Sequence, residues 1–208
     1  MAAAKGLGDD VYAREFIDCA HEHLALELQA PYRLNQDVSR RYVRDHFSRA
    51  GSDEPIDRAL RLDTEVMLVE DPVKRVDNMT MAWGLEARTP FLDHEFLELA
   101  AACPAKHKLA GGGKSVLKGA ARGLLPAAVI DRPKGYFPVP LLSELRGPAL
   151  QLVGEVLSSE AARARGLFRV NYLEQLLDAS NERLTTLEGN RLWQVALLEL
   201  WLQTHHVG

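Results

Sequence analysis

The sequence is poor in cysteine: Cys19 and Cys103 are its only two, and neither belongs to a C-x-x-C pair. Two thiols so far apart make no secreted disulfide framework, so a reducing cytoplasm is the expected setting. No run approaches the ~20 apolar residues that a membrane-spanning helix needs. The opening Met1-Ala2-Ala3-Ala4-Lys5-Gly6 has no apolar core and does not read as a signal peptide. Positive charge is not in surplus either, with a formal net charge of −4 and a pI near 6.0. A nucleic-acid binder carries a basic stripe, and an anionic membrane recruits polybasic segments, so neither partner is expected. Alternating strand patterns of useful length are also lacking, and so are internal repeats. Nothing then supplies the parallel sheet on which α/β nucleotide sites are built.

What is present is an ordinary globular composition, 47% hydrophobic and 26% charged over 208 residues, enough to bury a core without staples. Helix signals dominate. Tyr12, Phe16, Ala20, Leu24 and Leu28 form an i, i+4 row, ended by Pro31. Val38, Tyr42, Val43 and Phe47 mark a second helix, stopped near Gly51. Ser52-Asp53-Glu54-Pro55 reads as a cap for a helix to about Glu70, and Asp71-Pro72 opens another that ends at Gly84. Shorter helices are expected over His94–Ala102 and Lys114–Arg122. Prolines 126, 133, 138 and 140 confine residues 125–140 to a turn, a short helix and an irregular loop. Helix returns at Leu141–Leu157 and Val170–Ser180. The last helix, about Glu188–His205, is apolar nearly all round, which predicts burial in a core or against a partner.

Four constellations invite chemistry. In Gly84-Leu85-Glu86-Ala87-Arg88-Thr89-Pro90-Phe91-Leu92-Asp93, an arginine lies between two carboxylates and should be held by bidentate bonds. Glu86, Arg88 and Asp93 either shape a site or staple the turn to the next helix. In Asp131-Arg132-Pro133-Lys134-Gly135-Tyr136-Phe137-Pro138, an extended backbone points Arg132 and Lys134 the same way. Two fixed cations suit a polyphosphate or a developing oxyanion, and Gly135 admits close approach. A solvated surface loop is the plainer alternative. Gly111-Gly112-Gly113-Lys114-Ser115 is not a P-loop, because Lys108 stands where the first glycine should be and no strand precedes it. A hinge and a helix start are expected there. Cys19 and His23 share a helix face at i, i+4, as some zinc ligands do. Two ligands make no site, His205-His206 adds none, and no metal site is expected.

Taken together, Val76–Ala82, Gly84–Asp93, Lys108-Leu109, Gly113-Lys114, Leu117-Lys118, Leu125-Pro126 and Arg132–Phe137 resemble the glutamine-hydrolysing asparagine synthetase family in its carboxy-terminal synthetase domain. The coupled E-x-R-x-P-F-L-D and R-P-K-x-x-F segments carry that resemblance, over about residues 60–140. Met81–Glu86 and Arg132–Phe137 look especially like the branch that amidates N-acetylglutaminylglutamine. The resemblance implies a mainly α fold: the carboxy-terminal helical part of an adenine-nucleotide α-hydrolase-like domain, with its parallel sheet largely missing. It implies one partial synthetase domain over 1–208. Residues 1–11 would be a remnant of the ATP-site segment or disordered, 12–140 the motif-bearing helical part, and 141–208 the carboxy-terminal helices.

The implied chemistry is ATP-dependent: a substrate carboxylate is adenylated, and ammonia from glutamine attacks the acyl-adenylate to give an amide. Lys134 takes the catalytic role, Arg132 and Gly135 support the phosphate loop, and Glu86, Arg88 and Asp93 shape the pocket wall. The departures are as informative. Residue 2 is alanine, no S-G-G-x-D-S string occurs, and Gly6-Leu7-Gly8-Asp9-Asp10 is at best a remnant of a G-x-G-x-D-E segment. ATP and Mg2+ binding by this chain alone is therefore not expected. Its partners would be the missing amino-terminal glutaminase and pyrophosphate-loop segments, in trans or in a longer chain, and a small-molecule carboxylate. A truncated product, a split gene or a fragment would each fit, and the alternative is an inactive helical remnant or binding module.

Overall fold

The structure, a computed structural model, describes residues 8–133 and 145–207. Among them there is no strand, only three isolated bridges, and helices dominate. The described residues divide into two compact units, one of residues 8–12 and 41–133, the other of residues 13–40 and 145–207.

In the first unit, the amphipathic residues predicted at Val38–Phe47 form α3 (Val38–Phe47). Its inner residues Val43 and Phe47 are buried with Tyr12, Ala59 and Leu62. The Tyr12 ring, from α1 (Asp9–Phe16), lies 5.5 Å from that of Phe47. Its hydroxyl donates to Asp63, and burial with that carboxylate beside it pushes the phenol far above its ordinary range. Arg61 donates to the carbonyls of Ala50 at 2.9 Å and His46 at 2.7 Å, closing the open end of α3.

The sequence predicts a break at Asp71-Pro72; the structure instead runs helically from Pro55 to Met81. Helix α4 (Pro55–Leu62) passes into two π-helical stretches, Asp63–Met67 and Val69–Val73, and then into α5 (Lys74–Met81). Pro72 lacks an N–H and would clash with the carbonyl four residues back in an α-helix. The wider π spacing relieves that clash. Lys74–Glu70 at 3.2 Å and Arg75–Asp71 at 3.0 Å bracket the proline on the exposed face. Such i, i+4 pairs contribute about 0.3–0.5 kcal/mol each.

Beyond α5 the unit is thin. Helices α6 (His94–Ala102), α7 (Ala105–Leu109), α8 (Ser115–Ala121) and α9 (Ala127–Ile130) contain no buried residue, and neither does α5. The expected hinge is there: Gly111, Gly112 and Gly113 all have positive φ, Lys114 is left-handed, and α8 starts at Ser115. Helix α7 was not expected, since Pro104 reads as a stop. Here it stands at the N-cap, where its missing N–H costs nothing.

The second unit joins the amino-terminal segment to the carboxy-terminal helices. The row predicted over Tyr12–Leu28 is not one helix: α1 ends at Phe16, and α2 covers His21–Glu27. The interruption releases Asp18, whose carboxylate accepts from the Leu187 N–H at 2.9 Å and Gln194 Nε2 at 2.5 Å. An antiparallel bridge pairs Leu28 with Phe168, through Gln29 N–H to Leu167 O at 3.0 Å and Arg169 N–H to Glu27 O at 2.9 Å. Helices α10 (Gly147–Ser158), α11 (Glu160–Arg165), α12 (Val170–Asp178) and α13 (Arg191–Thr204) supply the rest. Their core contains Val153, Leu157, Phe168, Leu176, Leu192 and Val195. Helix α13 puts Leu192, Val195, Ala196 and Glu199 inward, so the predicted burial holds for one face, while Leu197, Leu198 and Trp201 stay exposed. Helix α11 escaped the sequence reading because it is short and mostly alanine and arginine. Its Ser159 cap accepts from the Ala162 N–H at 3.1 Å.

Candidate functional site

The E-x-R-x-P-F-L-D segment is a turn built at both ends by helix chemistry. Helix α5 closes when Gly84 takes φ +68°, with Leu85 N–H bonded to Thr80 O at 3.0 Å, a glycine-dependent C-terminal stop. At the other end Asp93 is the N-cap of α6, accepting from Glu95 N–H at 3.0 Å and Phe96 N–H at 3.4 Å. Between them Arg88 meets Glu86 through a single contact at 3.1 Å, with both side chains exposed. The sequence places Arg88 between two carboxylates with bidentate bonds. The structure corrects that, because the Asp93 carboxylate is spent on the backbone of α6, a strong local claim for an Asp preceding a helix. Phe91 and Phe96 make an edge contact at 5.5 Å, which fixes the angle at which the turn enters α6.

The second segment is anchored just before it begins. Arg122, at the end of α8, forks onto Asp131 with bonds of 3.2 and 2.8 Å. That fork holds the Asp131 carboxyl below its ordinary range and raises the Arg122 guanidinium. Asp131 is the C-cap of α9, so the pair pins the point from which Arg132 and Pro133 depart, both exposed. Lys134 and Gly135 lie outside the described residues. Nothing in the local spacing announced the fork, because nine residues and a proline turn separate its members.

A third feature was legible only in part. Lys108 entered the sequence reading as a residue of the resemblance, with no role. In the first unit its ammonium lies 2.7 Å from Asp57 and donates to Ala101 O at 2.9 Å. This largely shielded pair edges a hollow of about 600 Å³ between α4, α6 and α7. Asp57 stands 51 residues earlier, beyond the reach of any periodicity argument.

In the second unit a hollow of about 590 Å³ is lined by Asp18, Cys19, His23, Glu27, Tyr172 and Arg191, among others. Cys19 precedes α2, so the predicted i, i+4 helical pairing with His23 does not form. Burial raises the Cys19 thiol, which leaves it a poor thiolate. Arg191 contacts Glu27 and, at 3.2 Å, the Tyr172 hydroxyl. Although burial opposes it, those bonds hold Arg191 firmly charged, while burial pushes Tyr172 up to about 12. Glu27 and Arg191 thus tie the amino-terminal segment to α13. His205, at the tail, stacks on Trp201 at 4.4 Å.

With this geometry in view, the sequence profile of asparagine synthase matches residues 7–203. Asparagine synthetase [glutamine-hydrolyzing] 1 of Bacillus subtilis is 29% identical over 175 residues, 80% of this chain and 26% of that protein. Asparagine synthetase B [glutamine-hydrolyzing] of Escherichia coli is 39% identical over 66 residues, covering 30% of this chain and 12% of its own length. Asparagine synthetase [glutamine-hydrolyzing] of Gallus gallus is 33% identical over 108 residues, 50% of this chain and 18% of that protein. No solved structure matches. The chain belongs to the asparagine synthase family, and its matches span between 12% and 26% of the length of these curated relatives. Among the described residues, no helix is long and apolar enough to cross a membrane.

Proposed function

We propose that this chain is part of an ATP-dependent amidotransferase that turns a carboxylate into an amide, through an acyl-adenylate and ammonia from glutamine, in the cytoplasm. The observation that carries the reading is the asparagine synthase match along residues 7–203, with its named relatives all glutamine-hydrolysing. Aspartate and N-acetylglutaminylglutamine are the two acceptors to test. Both units serve one synthetase domain in this reading.

The roles follow from charge. Lys134 is the catalytic cation in this reading, a counter-charge for the departing pyrophosphate and the tetrahedral oxyanion. Arg132 and Gly135 support that loop, and the Arg122–Asp131 fork fixes its root. Glu86, Arg88 and Asp93 shape the pocket wall. The described residues do not fit magnesium or a nucleotide cradle. Among them no three His, Cys, Asp or Glu side chains converge as ion ligands, and no strand leads into a glycine loop. This reading gives the nucleotide site to the glutaminase and pyrophosphate-loop segments, in trans or in a longer chain.

The exposed apolar side chains of the first unit support such a covering segment. Trp83 is 85% and Leu124 82% exposed, with Met79, Leu85, Phe91 and Leu99 also outward. Exposed large apolar side chains are the kind of surface that a partner covers. In this reading the surface is covered by the remainder of the synthetase, in trans or in a longer chain.

The test is pyrophosphate release with ATP, magnesium, ammonium and each acceptor, on the chain alone and with the complementing polypeptide. Activity only on complementation, lost in Lys134→Ala, is the expected result. Silence with a well-folded complement and both acceptors would replace the reading by a helical binding module.

A further inference from the structure

We infer that the hollow of the first unit binds a free amino acid with an apolar side chain. The inference stands independently of the amidotransferase reading. Its floor is apolar, made by Leu60, Leu97, Ala100 and Ala101. Charges of both signs stand around that floor. The Lys108 ammonium has three N–H groups, of which two are taken by Asp57 and Ala101 O. Arg61 spends two nitrogens on backbone carbonyls, and its Nε is buried with no acceptor among the described residues. The remaining N–H of Lys108, with the positive charge of Arg61 nearby in the lining, favours an incoming carboxylate.

The opposite charge is also available. Glu65 is engaged by Arg49 at 2.6 Å, and Asp57 by Lys108, so neither offers a free carboxylate. Glu98 lines the hollow from α6, is exposed, and makes no hydrogen bond or ion pair among the described residues. It is the natural receiver of an ammonium. A ligand bearing a carboxylate, an ammonium and an apolar side chain satisfies all three surfaces at once. A simple anion meets Glu98 as a repulsive neighbour, and a simple amine meets Lys108 and Arg61 as two.

The experiment titrates the full 208-residue chain with L-leucine, 4-methylvalerate (no ammonium) and isoamylamine (no carboxylate), following backbone amide resonances. Leucine is expected to bind at least about tenfold more tightly than either analogue, with shifts centred on Leu60, Ala100 and Lys108. Glu98→Gln, an exposed change that leaves the Lys108–Asp57 pair intact, should reduce leucine to the affinity of 4-methylvalerate. Equal binding of the three compounds would overturn the inference. So would shifts centred on the Asp18–Arg191 hollow, no leucine binding up to its solubility limit, or leucine affinity unchanged in Glu98→Gln.

Discussion

Helix α13 and the long helical run from Pro55 to Met81 are both rich in apolar residues, yet they treat them in opposite ways. In the second unit α13 buries Leu192, Val195 and Ala196 against α10 and α12, with Leu176 fully enclosed. In the first unit the run leaves Val69, Val76, Met79 and Met81 exposed, and the helices after it bury nothing. The second unit also encloses charge with its counter-charge: Glu199 is 2% exposed and meets Arg165, and Glu27 meets Arg191. Ion pairs of the first unit, apart from Lys108–Asp57, lie mostly on its surface. The second unit therefore encloses the larger core, and the first leaves more of its apolar side chains exposed.

That contrast can be broken or sharpened by substitution. The largest effect is expected from Arg165→Ala, which strands a buried Glu199 carboxylate. Breaking such a pair costs about 3–5 kcal/mol, read as a lower midpoint in urea unfolding of the second unit. Leu192→Ala should cost about 2–5 kcal/mol by the same assay, whereas Leu124→Ala, at an exposed site, should stay within about 0.5 kcal/mol. A similar loss from both leucines would erase the distinction between the units. Next comes Asp93→Ala, which removes two accepted bonds from the start of α6. About 1 kcal/mol should be lost, visible as faster amide exchange in residues 94–98.

The smallest effect is a pH dependence at Asp18. Although burial opposes it, bonds from Thr185, Gln194 and the Leu187 N–H, with the Arg191 charge, hold this carboxyl below 3.8. A depressed folded-state value means that the contribution is present above the unfolded value and fades as pH falls through the folded one. Melting scans of Asp18→Asn should therefore lose part of the steep acid limb below about pH 4 and differ little in slope near pH 7.

Local signals were legible and distant ones were not. The periodicity of Val38–Phe47, the stop at Gly84, the span His94–Ala102 and the glycine hinge all rest on residues within a few positions of one another. Pro72 misled because its cost depends on the helix type around it, and i+5 spacing leaves no mark in a 3.6-residue pattern. Arg88 misled because Asp93 had a nearer claim, the amides of α6. Glu27 with Arg191, and Asp57 with Lys108, join residues 164 and 51 positions apart, contacts that only the folded chain brings together. The family motifs were readable as strings, yet their placement on a thinly packed, apolar unit was not.

The most direct test of the contrast is amide hydrogen exchange over the whole chain, alone and with the complementing synthetase polypeptide. Alone, the amides of Leu176, Leu192 and Val195 should be protected by orders of magnitude more than those of residues 74–81 and 115–121. The complement should then slow exchange in the first unit and leave the second unchanged. Equal protection of both units in the isolated chain, or no response of residues 74–85 to the complement, would contradict the account.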